Sequence, residues 1–222
     1  MQAPHLNIVR EQHLWLSPER CIFWEEEKAL IVSDLHFGKT GHFRKEGIAM
    51  PQHVYKADLQ RLVQQIQYFQ PKKLIIVGDM FHSRENKELD LFRKWREDLS
   101  GIEIILVKGN HDILKADWYS KAGIHLEDDC LLINNFLFRH DFANCNSDPS
   151  SYLFSGHLHP GVLVRGIAKQ SLTFPCFYFT PTFCILPAFS HFTGVALIDP
   201  DHDENVFAIV NKAILQLKTQ GR

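Results

Sequence analysis

The chain has 222 residues, 45% of them hydrophobic, so it can bury a full core, and we expect a single domain over residues 1–222. Its 24 basic and 26 acidic residues give a net charge of −2, which excludes a strongly basic field over the whole surface. No stretch approaches the roughly 20 apolar residues of a membrane span, and five scattered cysteines without a C-x-x-C pair argue for reduced thiols, so we expect a cytoplasmic protein without membrane contact.

The first half of the sequence predicts two kinds of strand, edge strands and strands that are fully buried. Residues 8–10, 14–16 and 21–24 are expected to form edge strands, with a turn at 17–19. The runs 29–32, 73–77 and 102–107 are rich in β-branched residues and do not alternate with polar ones. Such runs are typical of strands that are buried on both faces of a sheet.

Between these strands the spacing of apolar residues predicts helices. Residues 51–69 carry apolar side chains at steps of three and four, after Pro51 and before Pro71. A second helix is expected around 89–99, with Trp95 in the core, and a short one after Ile113. From Ile124 onward the sequence predicts short strands, and the polar tail after Ile214 is expected to fray. The chain therefore reads as an α/β protein in which two packed sheets are flanked by helices.

Each of the three buried runs ends in a short polar motif. Asp34-Leu35-His36 follows the first, Gly78-Asp79 the second, and Gly109-Asn110-His111-Asp112 the third. In an open α/β sheet, ligands gather beyond the carboxyl ends of the strands, so we expect these side chains to converge. The glycines allow the backbone to turn sharply beneath such a site.

Later in the chain, His140 stands alone and Gly156-His157-Leu158-His159 forms a G-H-x-H motif. Each of these motifs alone is common: a turn, a helix cap or a core histidine explains it as well. Together, in order and at strand ends, they combine oxygen donors with imidazoles, which suits a pair of divalent cations that hold water and a phosphoryl oxygen.

The ordered series resembles the calcineurin-like metallophosphoesterase superfamily between about residues 34 and 159. The resemblance implies a four-layer α/β/β/α sandwich of two mixed sheets and a hydroxide held between two metals as the nucleophile. One metal would be held by Asp34, His36, Asp79 and His159. The second would be held by Asp79, Asn110, His140 and His157, so that Asp79 bridges the two ions.

The same resemblance assigns His111 to the leaving group rather than to a metal. Many members carry an aspartate three residues after the bridging one, and that aspartate orients this histidine. Here His82 stands at that position, so a role of His82 beside His111 is expected only by analogy. A covalent mechanism is the poorer interpretation, because there is no G-x-S-x-G motif and Cys145 is better explained as a small, semi-buried side chain.

A narrower resemblance lies outside the metal motifs, in segments such as 36–48, 158–161, 175–177 and 186–189. These segments are similar to those of the bacterial ligase-associated phosphoesterases. The resemblance implies a phosphodiesterase or endonuclease that works in DNA repair with an ATP-dependent DNA ligase, a DEXH-box helicase and an exonuclease.

The substrate stays open at this point. Arg44 and Arg165 could form part of a basic rim for nucleic acid around the metal cleft, although solvated surface charges are an equal explanation. The alternatives are a hydrolase of small phosphoesters or cyclic nucleotides and an inactive scaffold, which the complete ligand set disfavours. Manganese is the first expectation for the metal, with Fe²⁺ or Zn²⁺ as alternatives.

Overall fold

The computed structural model describes residues 2–37, 53–81, 87–99, 101–144, 150–165, 171–191 and 193–217. Within these ranges the helices are α1 His53–Phe69, α2 Lys87–Asp98 and α3 Ala116–Lys121, with a 3₁₀ turn at Phe142–Asn144. The strands in the same ranges are β1 His5–Val9, β2 Gln12–Ser17, β3 Cys21–Trp24, β4 Ala29–Val32, β5 Lys73–Val77, β6 Glu103–Val107, β7 Ile124–Glu127, β8 Leu131–Ile133, β9 Phe136–Phe138, β10 Tyr152–Ser155, β11 Pro160–Arg165, β12 Ser171–Phe179, β13 Phe183–Ile185, β14 Ala196–Leu197, β15 Asn205–Val210 and β16 Ala213–Leu217.

The first sheet has the order β1-β2-β3-β4-β5-β6-β7. Its first four strands pair antiparallel, and β4, β5, β6 and β7 pair in parallel. Strand β4 is buried at every residue, and β5 and β6 are buried at all but their first. The carboxyl ends of β4, β5 and β6 therefore lie along one edge, where parallel sheets carry their ligands.

A helical layer covers the outer face of this sheet. Leu62 and Ile66 of α1, Phe92 of α2 and Tyr119 of α3 all belong to one buried apolar cluster with residues of β4, β5 and β6. Helix α1 reaches the sheet because its apolar residues recur every three or four positions and so share one face. Trp95 of α2 packs against the same cluster, as predicted.

The second sheet is also mixed, with the order β14-β11-β12-β13-β10-β9-β8, and β15 joins it by pairing with β12 and β16. Its inner face packs on the inner face of the first sheet through an aromatic core. Phe154 contacts Phe136, Phe138 and Tyr152, and Trp24 of the first sheet lies against Phe136. These residues bury large apolar areas between the two sheets and hold them together.

The predicted fold class is confirmed: two mixed sheets pack together, and the described helices lie against the first. In the described ranges the α-helices contact the first sheet, while the outer face of the second carries a smaller apolar cluster around Val162 and Val206. The expected fraying after Ile214 is wrong for the residues up to Leu217. These residues belong to strand β16, in which Leu217 pairs with Val206 of β15. Among the described residues, no helix has both the length and the apolar character of a membrane span.

Candidate metal centre

The loops after β4 and β5 lie side by side. The backbone N–H of Asp34 donates to Gly78 O at 3.1 Å, and the N–H of His36 donates to Asp79 O at 2.9 Å. These bonds extend the pairing of the two parallel strands past their ends. Asp34 and Asp79, which are 45 positions apart in sequence, therefore come to the same place, as the strand pattern predicted.

Asp34, His36 and His159 form a first cluster of possible ligand atoms, all within 4.8 Å of one another. His159 Nε2 lies 3.1 Å from Asp34 Oδ1, and His36 Nε2 lies 3.9 Å from the same oxygen. Asp34 and His36 are buried and His159 is partly buried. A carboxylate with two imidazoles around it is a common ligand set for divalent transition metals.

Asp34, Asp79 and His140 form a second cluster, again within 4.8 Å. His140 Nε2 lies 3.4 Å from Asp79 Oδ1, and its Nδ1 lies 3.0 Å from the carbonyl oxygen of Val77. A proton on Nδ1 would be donated to that carbonyl, which leaves Nε2 with its lone pair toward the carboxylates. Asp34 belongs to both clusters, although the resemblance implied Asp79 as the shared residue.

The polar atoms of this centre fit a cation. Asp34 Oδ1 and His140 Nε2 are buried and make no hydrogen bond with the described residues. Leaving buried polar atoms without partners is unfavourable, and two neighbouring carboxylates repel each other. A divalent cation would satisfy the lone pairs and the charge together, and the oxygen and nitrogen donors suit such ions.

Charge interactions in the centre shift the pKa values of Asp79 and His140 in opposite directions. Burial alone would raise the pKa of Asp79, but the charge of His140, 3.4 Å away, and the hydrogen bond from the His111 N–H bring it well below its usual range. Burial alone would lower the pKa of His140, but Asp79 and Asp34 raise it to about 9. The centre therefore strongly favours a positive charge next to its two carboxylates.

The other predicted site residues surround these clusters. The His157 ring lies 5.1 Å from the His140 ring, and the His157 N–H donates to Asp34 Oδ2 at 3.2 Å. His111 Nε2 lies 4.0 Å from Asp79 Oδ2, its N–H donates to Asp79 Oδ1 at 2.9 Å, and its side chain is 49% exposed. Asn110 lies exposed on the turn between Gly109 and His111. The structure thus brings the predicted metal-binding motifs to one place.

Three predicted residues cannot be placed in the same way. His82 and Arg44 lie outside the described residues. The backbone of Arg165 ends strand β11, where it pairs with Ser171, but its side chain is not among the described ones. The roles of His82, Arg44 and Arg165 remain predictions.

Five of the predicted ligands adopt the left-handed backbone conformation that few residues other than glycine adopt. The φ angles are 54° for Asp34, 48° for His36, 52° for Asp79, 65° for His157 and 52° for His159. Aspartate and histidine tolerate this region better than most residue types. The sharp turns aim the side chains back over the sheet edge, and such unusual backbone is typical of functional sites.

Two glycines make room for the ligands, in agreement with their expected role. Gly78 has φ of 78°, and a Cβ atom on it would lie 2.0 Å from His140 Nδ1. A Cβ atom on Gly109 would lie 2.3 Å from Asp79 Oδ1. No other residue type fits these positions without displacing His140 or Asp79.

Two residues that the sequence did not single out hold the ligand loops. Ser33 Oγ contacts Asp34 Oδ2 and lies 2.9 Å from Val77 O, so it fixes the Asp34 carboxylate. Asp112 accepts hydrogen bonds from the N–H groups of Met80, Phe81 and Gly109 at 2.9–3.1 Å. Their only signal in the sequence is adjacency: Ser33 precedes the D-x-H motif, and Asp112 ends G-N-H-D.

The family comparison agrees with this geometry. Residues 28–166 match the family described as calcineurin-like phosphoesterase. Among solved structures, nuclease MPE from Pseudomonas putida is 27% identical, with a TM-score of 0.82 over 96% of this chain and 100% of its own. The phosphoesterase Yfce from E. coli is 14% identical, with a TM-score of 0.46 over 85% of this chain and 97% of its own.

A search of curated proteins gives no match. The narrower resemblance implied a phosphodiesterase or endonuclease, and the neighbour that matches nearly the whole chain is named a nuclease. The family match covers more than half of the chain and contains the clustered carboxylates and imidazoles. The chain therefore belongs to the calcineurin-like phosphoesterase family and is a metal-dependent phosphoric ester hydrolase.

Proposed function

We propose that the protein is a phosphodiesterase that cleaves nucleic acid with two divalent cations in the cytoplasm, in ligase-associated DNA repair. The observation that carries the proposal is the pair of ligand clusters joined by Asp34, which lie within the residues that match the family. The whole-chain similarity to a protein named as a nuclease supports nucleic acid as the substrate. Buried thiols at Cys21, Cys176 and Cys184 are compatible with a reducing compartment.

The proposed ligands form two sets, one for each cation. Asp34, His36, Asp79 and His159 would hold one cation, and Asp79, Asn110, His140 and His157 the other. Bound divalent cations lower the pKa of water and neutralise negative charge on phosphoryl oxygens. Manganese is proposed first, with Fe²⁺ or Zn²⁺ as alternatives, because the donors are oxygen and imidazole nitrogen without thiolate.

His111 is proposed to protonate the departing oxygen. Its side chain is half exposed beside Asp79, so it can reach a substrate while its backbone N–H stays bound to Asp79 Oδ1. An imidazole donates protons near neutral pH, where an alkoxide leaving group needs one. His82 is proposed to orient His111, and Arg44 and Arg165 to contact substrate phosphates.

Hydrolysis of small phosphoesters or cyclic nucleotides is the second candidate, and the net charge of −2 favours it. Affinity for nucleic acid comes largely from basic groups that neutralise phosphates, and the chain as a whole has no excess of them. A nuclease with this balance would depend on a local basic surface or on recruitment by partners. An ATP-dependent DNA ligase and a DEXH-box helicase are the proposed partners, and co-purification from cells would test them.

The activity test uses purified protein with Mn²⁺, offered single-stranded DNA, duplex DNA with ends, RNA and bis-p-nitrophenyl phosphate. Cleavage of DNA is expected, and it should fall at least about 100-fold in Asp79→Asn because a ligand is lost. Asp117→Asn is the matched control, since Asp117 is an exposed carboxylate on α3 that pairs with Lys121. Turnover of the small diester alone would overturn the nuclease proposal in favour of the second candidate.

A further inference from the structure

A second group of charged residues lies away from the metal centre, around a cavity of about 420 Å³. The turn after β2, helix α1, the segment at His191 and the turn before β16 all contribute to its wall. We call it the arginine pocket and define it by its ionisable lining residues, which are Glu19, Arg20, Asp58, Arg61, His191 and Lys212. None of them belongs to the proposed metal ligands.

Arg61 is the most deeply buried cation of this pocket, with only 8% of its side chain exposed. Its Nη2 lies 3.1 Å from Asp58 Oδ1 and also donates to the carbonyl oxygen of Phe189. Its Nη1 has no hydrogen-bond partner among the described residues. A buried guanidinium N–H without an acceptor is unfavourable, so the position calls for a further acceptor.

Arg20 repeats this arrangement beside it. Its Nη1 donates to Ala188 O at 3.1 Å and to Ser190 O at 2.8 Å, while its Nε has no acceptor among the described residues. The two arginines thus use part of their donors to hold the segment 188–190. The donors without an acceptor among the described residues, Arg20 Nε, Arg61 Nε and Arg61 Nη1, belong to side chains that line the same cavity.

The charges around the cavity do not cancel. Three cations, Arg20, Arg61 and Lys212, face two carboxylates, those of Glu19 and Asp58. The Glu19 carboxylate lies beyond hydrogen-bond distance of Arg61, because its Oε2 is 3.8 Å from Arg61 Nε. His191 is uncharged and adds no further positive charge, because desolvation and the cations Arg61, Arg20 and Lys212 lower its pKa. Water could accept hydrogen bonds in this pocket but would leave the excess positive charge uncompensated. An anion would accept the hydrogen bonds and also compensate the charge.

We propose that the arginine pocket binds a phosphate group that carries an organic substituent, either in a mononucleotide or in a nucleic-acid backbone. The fork of guanidinium donors matches phosphate oxygens, which accept several hydrogen bonds at once. The cavity volume lies within the about 300–1,000 Å³ of small-molecule pockets, so it exceeds the needs of the anion alone. Pro18, Pro175 and Ile209 give the rest of the wall an apolar surface for the substituent.

The pocket backs onto the metal centre without sharing side chains with it. The segment whose carbonyls bind Arg20 and Arg61 also donates from Phe189 N to Ser33 O at 2.8 Å and from Ser190 N to Asp34 O at 3.2 Å. A phosphate held by the two arginines would therefore lie on the opposite side of the segment 188–190 from Asp34, which that segment supports. This position makes it a separate site and not a part of the reacting centre.

The test compares two lysine variants by isothermal titration of the full chain in EDTA, which prevents cleavage at the metal centre, with inorganic phosphate, 5′-dAMP and a single-stranded oligonucleotide. Lys212→Gln removes an exposed cation of the pocket and should weaken binding of the preferred ligand about tenfold. Lys28→Gln is the matched control, because Lys28 is likewise an exposed lysine with positive φ but does not line the pocket. Its affinities should equal those of the unmodified protein.

Comparing the three ligands identifies the source of the phosphate. Tighter binding of 5′-dAMP than of phosphate, with the loss in Lys212→Gln, would assign the pocket to mononucleotides, and the same result for the oligonucleotide would assign it to a nucleic-acid backbone. Tungstate soaked into crystals should give an anomalous peak beside Arg61. Equal affinities of Lys212→Gln and the unmodified protein for all three ligands, or the absence of tungstate from the pocket, would overturn the proposal.

Discussion

Asp112 joins the loop that carries Asp79 to the loop that carries Asn110. It is 1% exposed, and its two oxygens accept hydrogen bonds from the backbone N–H groups of Met80, Phe81 and Gly109. No other described contact replaces these acceptors, so the Asp112 side chain links the loop after β5 to the loop after β6. The geometry of the metal ligands therefore depends on a residue that touches none of the proposed cations.

The variant Asp112→Ala tests whether these hydrogen bonds stabilise the fold. It leaves three buried N–H groups without an acceptor, and at about 1 kcal/mol or more for each, the free energy of unfolding should fall by at least about 3 kcal/mol. Urea unfolding followed by circular dichroism measures the change. Asp117→Ala removes an exposed carboxylate that pairs with Lys121 and should change stability by less than about 1 kcal/mol. Equal stability of the two variants would contradict the assigned role.

How much of the site could be predicted from the sequence depends on which contacts define each residue. Asp34 and Asp79 were predictable because each lies two residues after the end of a buried apolar strand, and parallel strands end at a common edge. Ser33 and Asp112 were not, because their roles lie in hydrogen bonds to Val77 and to the Met80 backbone, which only the folded chain brings within reach. Asp34 belongs to both clusters because of where the side chains lie, and the spacing of the motifs in the sequence does not give those positions.

The two sheets also differ in how far the sequence predicts their strands and strand order. Strands β4, β5 and β6 were predictable because each is a continuous apolar run that pairs with its neighbour in sequence order. The order of the second sheet was not, since β10 pairs with β9 and with the distant β13, and β12 pairs with β15. Several of its strands have only three or four residues, too few to show a period, so their pairing depends on packing between the sheets.

Packing between the sheets predicts a large effect for Phe154 on β10. Its side chain is fully buried and contacts Phe136, Phe138 and Tyr152 in the aromatic core. Phe154→Ala should therefore lower the free energy of unfolding by about 3–5 kcal/mol, since it opens a cavity that these rings cannot close. The control is Leu172→Ala on β12, where the side chain is 62% exposed and the change should stay within about 0.5 kcal/mol. Similar losses in both, measured by urea unfolding, would show that Phe154 does not anchor the sheets together.

The stability of the whole molecule should depend on bound metal, because two buried carboxylates stand close together in the centre. Mn²⁺ at about 100 times its dissociation constant adds about 2.7 kcal/mol to the folded state, which corresponds to a rise in Tm of about 5–10 °C for a chain of this size. Scanning calorimetry with Mn²⁺ and with EDTA measures the shift.

Asp34→Asn separates this effect from general ion binding. It should lose most of the shift with Mn²⁺, because it removes the carboxylate that belongs to both ligand clusters. Asp117→Asn should keep the full shift. Retention of the shift in Asp34→Asn would remove Asp34 from the proposed ligands.

The pH dependence of stability gives a further test, because burial raises the pKa of Asp112 to about 7, against the opposing effect of the Gly109 and Phe81 N–H groups. An unfolded aspartate has a pKa of about 3.9, so between about pH 4 and pH 7 the folded state holds a proton that the unfolded state has lost. Stability from this group is therefore complete below about pH 4 and falls as the pH rises to about 7. In EDTA, the Tm of the unmodified protein minus that of Asp112→Asn should decrease across this range, since the amide does not titrate. The metal ligands titrate in both proteins and cancel in the difference, so a difference that is constant or rises with pH would mean that Asp112 is ionised throughout.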